Sequence, residues 1–181
     1  MALTATHNNQ DILVPATRRG EPLVRSISQA QIEHESELGL AYAFPSANAD
    51  INAGDSILTI KNTSDSFLVL TSAIFLPANV ACQYDIGIGA TTTALVGTAV
   101  TALNMNEEFS TKTFDHEVKS DETAIADANV MFRVMTNTTD SLRTTLDGII
   151  LGKNHFIQIN QETECTSGAV TVFGFFIPEL Q

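Results

Sequence analysis

Residues 56–76 read SILTIKNTSDSFLVLTSAIFL, and the pattern in this stretch indicates the fold class. The two runs at 56–61 and 66–76 are rich in β-branched residues, leucine and phenylalanine, a composition that suits β-strands. Between them lies a cluster of Asn, Thr, Ser and Asp that is typical of a turn. Pro77 follows the second run and would end a strand there. The stretch therefore predicts two strands joined by a short turn.

Similar segments, separated by turn residues, continue to the end of the chain. Segments with period-two alternation or apolar runs are 79–88, 98–105, 129–135, 149–151, 155–160 and 169–177. With the opening pair they give roughly eight or nine strands and no strong helix between them. The absence of intervening helices argues against a parallel sheet. We therefore expect an all-β fold, an antiparallel β-sandwich that is either jelly-roll-like or immunoglobulin-like.

The first fifty residues differ from the rest, because their apolar residues are scattered and prolines interrupt them. We predict an N-terminal arm at residues 1–50, partly extended, and a β-sandwich domain at residues 51–181. A short helix could run from Ser28 to Leu40, with Ser28 as its cap and Gly39 as its stop. Such an arm either reaches a neighbouring subunit or packs on its own domain, and the sequence favours neither.

The chain is strongly acidic, with 9 Lys and Arg residues, 21 Asp and Glu residues and a net charge of −12. Phosphate binding needs clustered cations, so this balance argues against a nucleic-acid partner, and more weakly against an anionic membrane. Residues 1–10 lack the apolar stretch of a signal peptide. No apolar run approaches the roughly 20 residues of a membrane helix. We therefore expect a cytosolically made protein whose charge serves solubility, with a basic partner surface as the alternative.

No catalytic motif is visible, because a Gly-x-Ser-x-Gly elbow, a P-loop and a His-Glu-x-x-His pair are all absent. We predict no enzyme activity, no catalytic residue and no cofactor. Two metal sites are conceivable but disfavoured. One would use His116 and His155 with a carboxylate. The other would be a calcium loop, whose candidate ligands are Glu107, Glu108, Asp121, Glu122 and Asp127.

Few residues are suited to a disulfide or to sugar binding. Cys82 and Cys165 lie far apart, and each is expected to be a small core residue rather than half of a disulfide. A sugar is usually covered by an exposed aromatic ring, yet the chain has no Trp and only two tyrosines, Tyr42 and Tyr84. A carbohydrate site would depend on them or on an exposed Phe.

Several segments resemble small β-sandwich virion proteins of tailed bacteriophages, of the capsid decoration or auxiliary head type. The likeness begins with ELGLAYAF at 37–44 and residues 55–62, and it ends with residues 169–176. The segments between them are 67–75, GTAVT at 97–101, NMN at 104–106 and DGIIL at 147–151. The resemblance covers about residues 37–177, and it is a pattern of strands and turns rather than a sharp motif.

The resemblance implies a structural virion protein on the capsid surface. Its partner would be the major capsid protein, and its role would be that of a decoration or cement protein that stabilises the head. It would act as a homo-oligomer, with a trimer favoured. The alternative is a tail or fibre component with a receptor-binding or carbohydrate-binding β-sandwich.

In this interpretation the arm would contact the partner. Its candidate contact residues combine cations for acidic groups on the shell with apolar side chains for grooves. They are Leu13, Val14, Arg18, Arg19, Leu23, Val24 and Arg25. Apolar strand residues such as Met131 and Met135 would lie under a neighbouring subunit, or would cover a second core layer of the same chain.

Overall fold

The computed structural model describes two compact units, residues 1–30 and residues 31–181. Within them the described residues are 2–7, 10–15, 35–36, 38–46, 52–106, 113–121, 128–164 and 167–177. In the first unit, strands β1 (Ala2–His7) and β2 (Gln10–Pro15) pair as an antiparallel hairpin. The predicted division of the chain at residue 50 stays a prediction.

The second unit is built from β-strands, and Glu35 and Ser36 are the helical residues in its described part. The strands are β3 (Ala41–Pro45), β4 (Ser56–Asn62), β5 (Phe67–Leu76), β6 (Gln83–Ala90), β7 (Thr98–Ala99), β8 (Leu103–Asn104), β9 (His116–Ser120), β10 (Asn129–Met135), β11 (Leu142–Leu151), β12 (His155–Gln161) and β13 (Ala169–Ile177). β3 lies within the residues assigned to the arm, yet it belongs to this unit. The predicted all-β, antiparallel fold class is confirmed.

These strands form two antiparallel sheets. Sheet one has the order β10-β6-β12-β4-β9-β7, and sheet two has the order β11-β5-β13-β3-β8. The pairing is nested, because β3 pairs with β13, β4 with β12, β5 with β11 and β6 with β10. β13 also pairs with β5, and β12 also pairs with β6. Strands from the two ends of the unit therefore meet at the centres of the sheets.

One hydrophobic core lies between the sheets, as expected of a β-sandwich. On β12, Ile157 and Ile159 are buried opposite Ile60 and Leu58 of β4, so alternate residues of both strands face inward. Sheet two contributes buried side chains to the same cluster. They include Phe44 of β3, Leu68, Leu70 and Phe75 of β5, and Val170, Val172 and Phe176 of β13.

The approach to β3 has the geometry of a helix end. Gly39 has a φ of 70°, in the left-handed region that glycine adopts without strain. Its N–H donates to the carbonyl of Ser36, and the N–H of Leu40 donates to the carbonyl of Glu35. These two bonds form a Schellman ending, which fits the predicted stop at Gly39. The rest of the predicted helix lies largely outside the described residues, so the helix itself stays a prediction.

At Gly174 the backbone of β13 leaves no room for a side chain against β5. The register of the two strands shifts between Phe173 and Gly174. A Cβ atom at position 174 would lie 2.6 Å from the carbonyl oxygen of Val69 and 3.1 Å from Cδ2 of Leu70. Because the nearest atom belongs to the backbone, a side chain could be fitted only by moving one strand.

We therefore expect Gly174→Ala to lower the free energy of unfolding by about 2–3 kcal/mol, the usual penalty for overpacking a core. Urea unfolding followed by circular dichroism measures this. Gly152→Ala is the matched control, since its Cβ would meet no atom closer than 3.6 Å. Equal unfolding midpoints for the two variants would show that the β5–β13 contact can relax.

Candidate functional site

The structure describes two of the seven predicted contact residues. Leu13 and Val14 lie on β2, where their backbones pair with Thr4 and Leu3 of β1. The other five lie outside the described residues: Arg18, Arg19, Leu23, Val24 and Arg25. The proposed role of these seven residues in binding a partner stays a prediction.

The conceivable metal ligands are not brought into one group. The ring of His116 is packed among aromatic side chains, whereas His155 is exposed and its Nδ1 lies 3.1 Å from the carbonyl of Lys153. Of the five candidate calcium ligands, the structure describes Asp121 alone. No cluster of three or more His, Cys, Asp or Glu side chains that could hold a metal ion occurs in the described ranges. Cys82 is buried, as expected, and Cys165 lies outside those ranges.

An aromatic cluster occupies the core beside β9. The rings of Tyr42, Phe44 and Phe176 have centroids 5.9, 5.8 and 6.1 Å from that of His116. Phe114 stacks on Phe176 at 4.4 Å. The cluster fixes both the position and the surroundings of the imidazole.

Both tyrosines belong to the core. Tyr42 is 4% exposed within the aromatic cluster, and Tyr84 is fully buried with its ring centroid 5.0 Å from that of Phe75. Neither ring is exposed enough to cover the face of a sugar, so of the residues considered for a carbohydrate site only an exposed Phe remains among the described residues. Phe67 is the exposed phenylalanine in the described part of the chain, with 46% of its surface open to solvent.

His116 is placed so that its charge is disfavoured. Burial lowers the pKa of its imidazole below the usual 6.5, and this outweighs the hydrogen bond to the carbonyl of Phe114 and the nearby charge of Asp115. In the unfolded chain the ring would titrate normally. The unfolded state therefore binds the proton first as the pH falls, which makes folding less favourable in acid.

The outer face of sheet one carries buried polar side chains. Gln158 of β12 lies opposite Thr59 of β4 and Gly87 of β6, on the face away from the core. Gln158, Thr59 and the neighbouring Lys61 are each at most 2% exposed. The alternation of polar and apolar residues in this strand was visible in the sequence, but the burial of its polar face was not.

Lys61 connects this face to the loop at residues 91–97. Its Nζ donates to the carbonyl of Thr93 at 2.9 Å and lies 3.4 Å from Oε1 of Glu117. The other carboxylate oxygen of Glu117 accepts a hydrogen bond from the N–H of Leu95 at 2.8 Å, and Leu95 is itself buried. One partly buried ion pair thus holds the loop against the sheet.

A second ion pair lies between β6 and β10. Nε of Arg133 lies 3.0 Å from Oδ1 of Asp85, whose side chain is buried. Nε2 of Gln83 also donates to Asp85 at 3.2 Å. Arg133 is the charged residue of β10, so the charge on this strand is compensated by its neighbour.

The remaining distinctive surface is the β10 edge, which we define as Asn129–Met135 at the open end of sheet one. Met131 and Met135 are 50% and 68% exposed, and Val130 is exposed as well. The expectation that these methionines cover a second core layer is wrong, because such residues would be buried. On the adjoining β11, Leu142 and Ile150 are also exposed. Exposed apolar side chains therefore occur on both of these outermost strands, β10 of sheet one and β11 of sheet two.

Comparisons with known proteins give no match, whether with protein-family models, with curated proteins or with solved structures. The described part of the chain contains no helix long and apolar enough to cross a membrane.

The burial of His116 predicts a pH-dependent stability. We expect the free energy of unfolding to fall as the pH drops below about 6.5 towards the lower pKa of the folded state. His116→Phe should remove this part of the pH dependence, because phenylalanine fits among aromatic rings and does not titrate. Urea unfolding between pH 7 and pH 5 measures it. His155→Gln, at an exposed histidine, should keep the wild-type dependence, and the same dependence in His116→Phe would contradict the assignment.

Removal of the Lys61 ammonium should destabilise the sheet and its loop together. We expect Lys61→Ala to lower the free energy of unfolding by about 1–3 kcal/mol, since it leaves the partly buried carboxylate of Glu117 and the carbonyl of Thr93 without this partner. Lys153→Ala is the control. It also breaks an ion pair, with Asp65, but an exposed one worth at most about 1 kcal/mol. Hydrogen exchange at the Leu95 amide should speed up in Lys61→Ala alone, and equal effects of the two variants would contradict a role for this pair.

Proposed function

We propose that this chain is a structural virion protein of a tailed bacteriophage. Its work would be to bind the major capsid protein as a decoration or cement protein on the capsid surface, and so to stabilise the head. The nested strand order carries the proposal, and the resemblance of residues 37–177 to small phage virion proteins agrees with it.

The strand order supports a jelly-roll-like sandwich over an immunoglobulin-like one. A jelly roll has eight strands in two Greek keys, and viral capsid domains, lectins and cupins have this fold. Here β3–β6 and β10–β13 supply eight strands, the first four pairing with the last four in reverse order. The short strands β7 and β8, together with β9, fall in the connection between the two halves. Because folds host many functions, this order supports a class of role and not a partner.

The surface chemistry is that of a protein that works by contact. Reinforcing a shell requires stable sheets and apolar surface that a neighbour can cover, as at Met131 and Met135. The resemblance adds a homo-oligomer, with a trimer favoured, and an N-terminal arm as the attachment element. In this proposal the arm cations Arg18, Arg19 and Arg25 would meet acidic groups on the shell.

A tail or fibre component with a receptor-binding or carbohydrate-binding site is the second candidate. One observation favours it: lectins share the jelly-roll order, and Phe67 offers an exposed ring. The burial of Tyr42 and Tyr84 leaves such a site with few aromatic platforms. A glycan array would test it, with affinity lost in Phe67→Ala as the expected sign of a sugar site.

The deciding experiment is the copy number of this chain in purified virions, from quantitative mass spectrometry against the major capsid protein. We expect a ratio matching the number of capsomers, because a decoration protein repeats with the lattice. A handful of copies per particle would favour the tail or fibre candidate, and absence from the particle would overturn the structural role. Deletion of residues 1–25 should then abolish binding to shells while the circular dichroism of the sandwich is kept.

A further inference from the structure

The two sides of the described sheets end very differently. On one side the outermost strands are β7 and β8, which are two residues long. On the other side they are β10 and β11, with seven and ten residues. An outermost strand leaves a row of backbone N–H and C=O groups unpaired, and natural proteins protect such edges by keeping them short. Only the first side of this unit has that protection.

The β10 edge also lacks most chemical protection. Its sequence, NVMFRVM, contains neither lysine nor proline, the residues that usually prevent further pairing. Its cation, Arg133, is engaged by Asp85 on the neighbouring strand. The register of β10 against β6 shifts between Val130 and Phe132, and the pairing is regular from Phe132 to Met135. Four consecutive residues therefore present a strand that another strand can extend.

The side chains at this edge suit a protein surface as the occupant. Val130, Met131 and Met135 are exposed, and methionine adapts its shape to the surface that covers it. Backbone pairing would supply the affinity, and these side chains would be removed from water as it forms.

The charge around the β10 edge favours a second copy of this chain as the binding partner. Two copies of a chain with a net charge of −12 repel each other at most approaches. Residues 129–151, however, carry two cations, Arg133 and Arg143, and two carboxylates, Asp140 and Asp147. With Asp85 of β6, which pairs with Arg133, the group has a net charge of −1. A strongly basic partner would gain little here, whereas a second copy can approach with little like-charge repulsion from this segment.

We propose that the β10 edge is the surface through which a second copy of this chain binds. Its β10 strand would pair with a long outermost strand of that copy, either β10 or β11. Pairing of β10 with β10 closes a two-fold dimer, and pairing of β10 with β11 builds a ring such as a trimer. This proposal depends only on the properties of the β10 edge. If the chain is the oligomeric virion protein proposed above, the edge would be the interface between its subunits.

Sedimentation equilibrium of the purified full-length chain tests this without a virion, so a failure here and a failure of the virion role are distinguishable. We expect a reversible oligomer. Met131→Lys with Met135→Lys should weaken its association by about tenfold or more, because an unpaired ammonium is costly to bury. The added lysines reduce the net negative charge, so general repulsion cannot explain a loss.

The matched control is Val96→Lys with Leu103→Lys, which adds the same charges at exposed positions away from the edge. We expect wild-type association in this control. A monomeric wild type, an unaffected lysine variant at the edge or an equal loss in the control would each overturn the proposal. Hydrogen exchange of the unsubstituted chain gives a second test. The β10 amides should become more protected as concentration rises, and protection that does not change with concentration would also overturn it.

Discussion

The pairing of β13 between β5 and β3 is the constraint on which the rest of the second unit depends. The last strand of the unit occupies the centre of sheet two, between β5 and β3. Without β13 the sheet would be divided into the β11–β5 pair and the β3–β8 pair, because β13 alone joins β5 to β3. The inward residues of β13 in turn complete the shared core. Contacts between such distant segments are slow to form, so the fold has little stable structure to gain before the whole unit is made.

The outer face of sheet one and its β10 edge differ in what contacts them. On the outer face of sheet one, the loop at residues 91–97 is held against Lys61 and Glu117 by hydrogen bonds from Lys61 to Thr93 and from Leu95 to Glu117. A face occupied in this way is not available to a partner. Nothing equivalent covers the β10 edge among the described residues, where apolar side chains and unpaired backbone groups lie together. The surface most suited to a partner is therefore an edge of the sandwich.

Much of the strand pattern was predictable, because period-two alternation follows directly from the geometry of a strand. Alternation states that two faces differ, but not what covers each of them. The pattern therefore does not show that Gln158 and Lys61 are buried, nor that Tyr42, which was considered for sugar binding, is part of the core. The alternating stretch at 98–105 was expected to be one strand. It is divided between β7 in sheet one and β8 in sheet two, since strand propensity does not determine which sheet a segment joins.

The edge was hidden from sequence for a related reason. Met131 and Met135 could be recognised as apolar residues outside the main alternation, yet their environment depends on whether another strand follows β10 in the sheet. Whether β10 is the outermost strand depends on the strand order of the sheet, which is known only from the structure, where β10 pairs with β6 alone. An acidic chain can keep such an edge without uncontrolled aggregation, because its net charge opposes contacts at most orientations. A net charge that limits random association and a weakly charged edge that permits contact are complementary, and together they favour association of copies at this edge over association elsewhere.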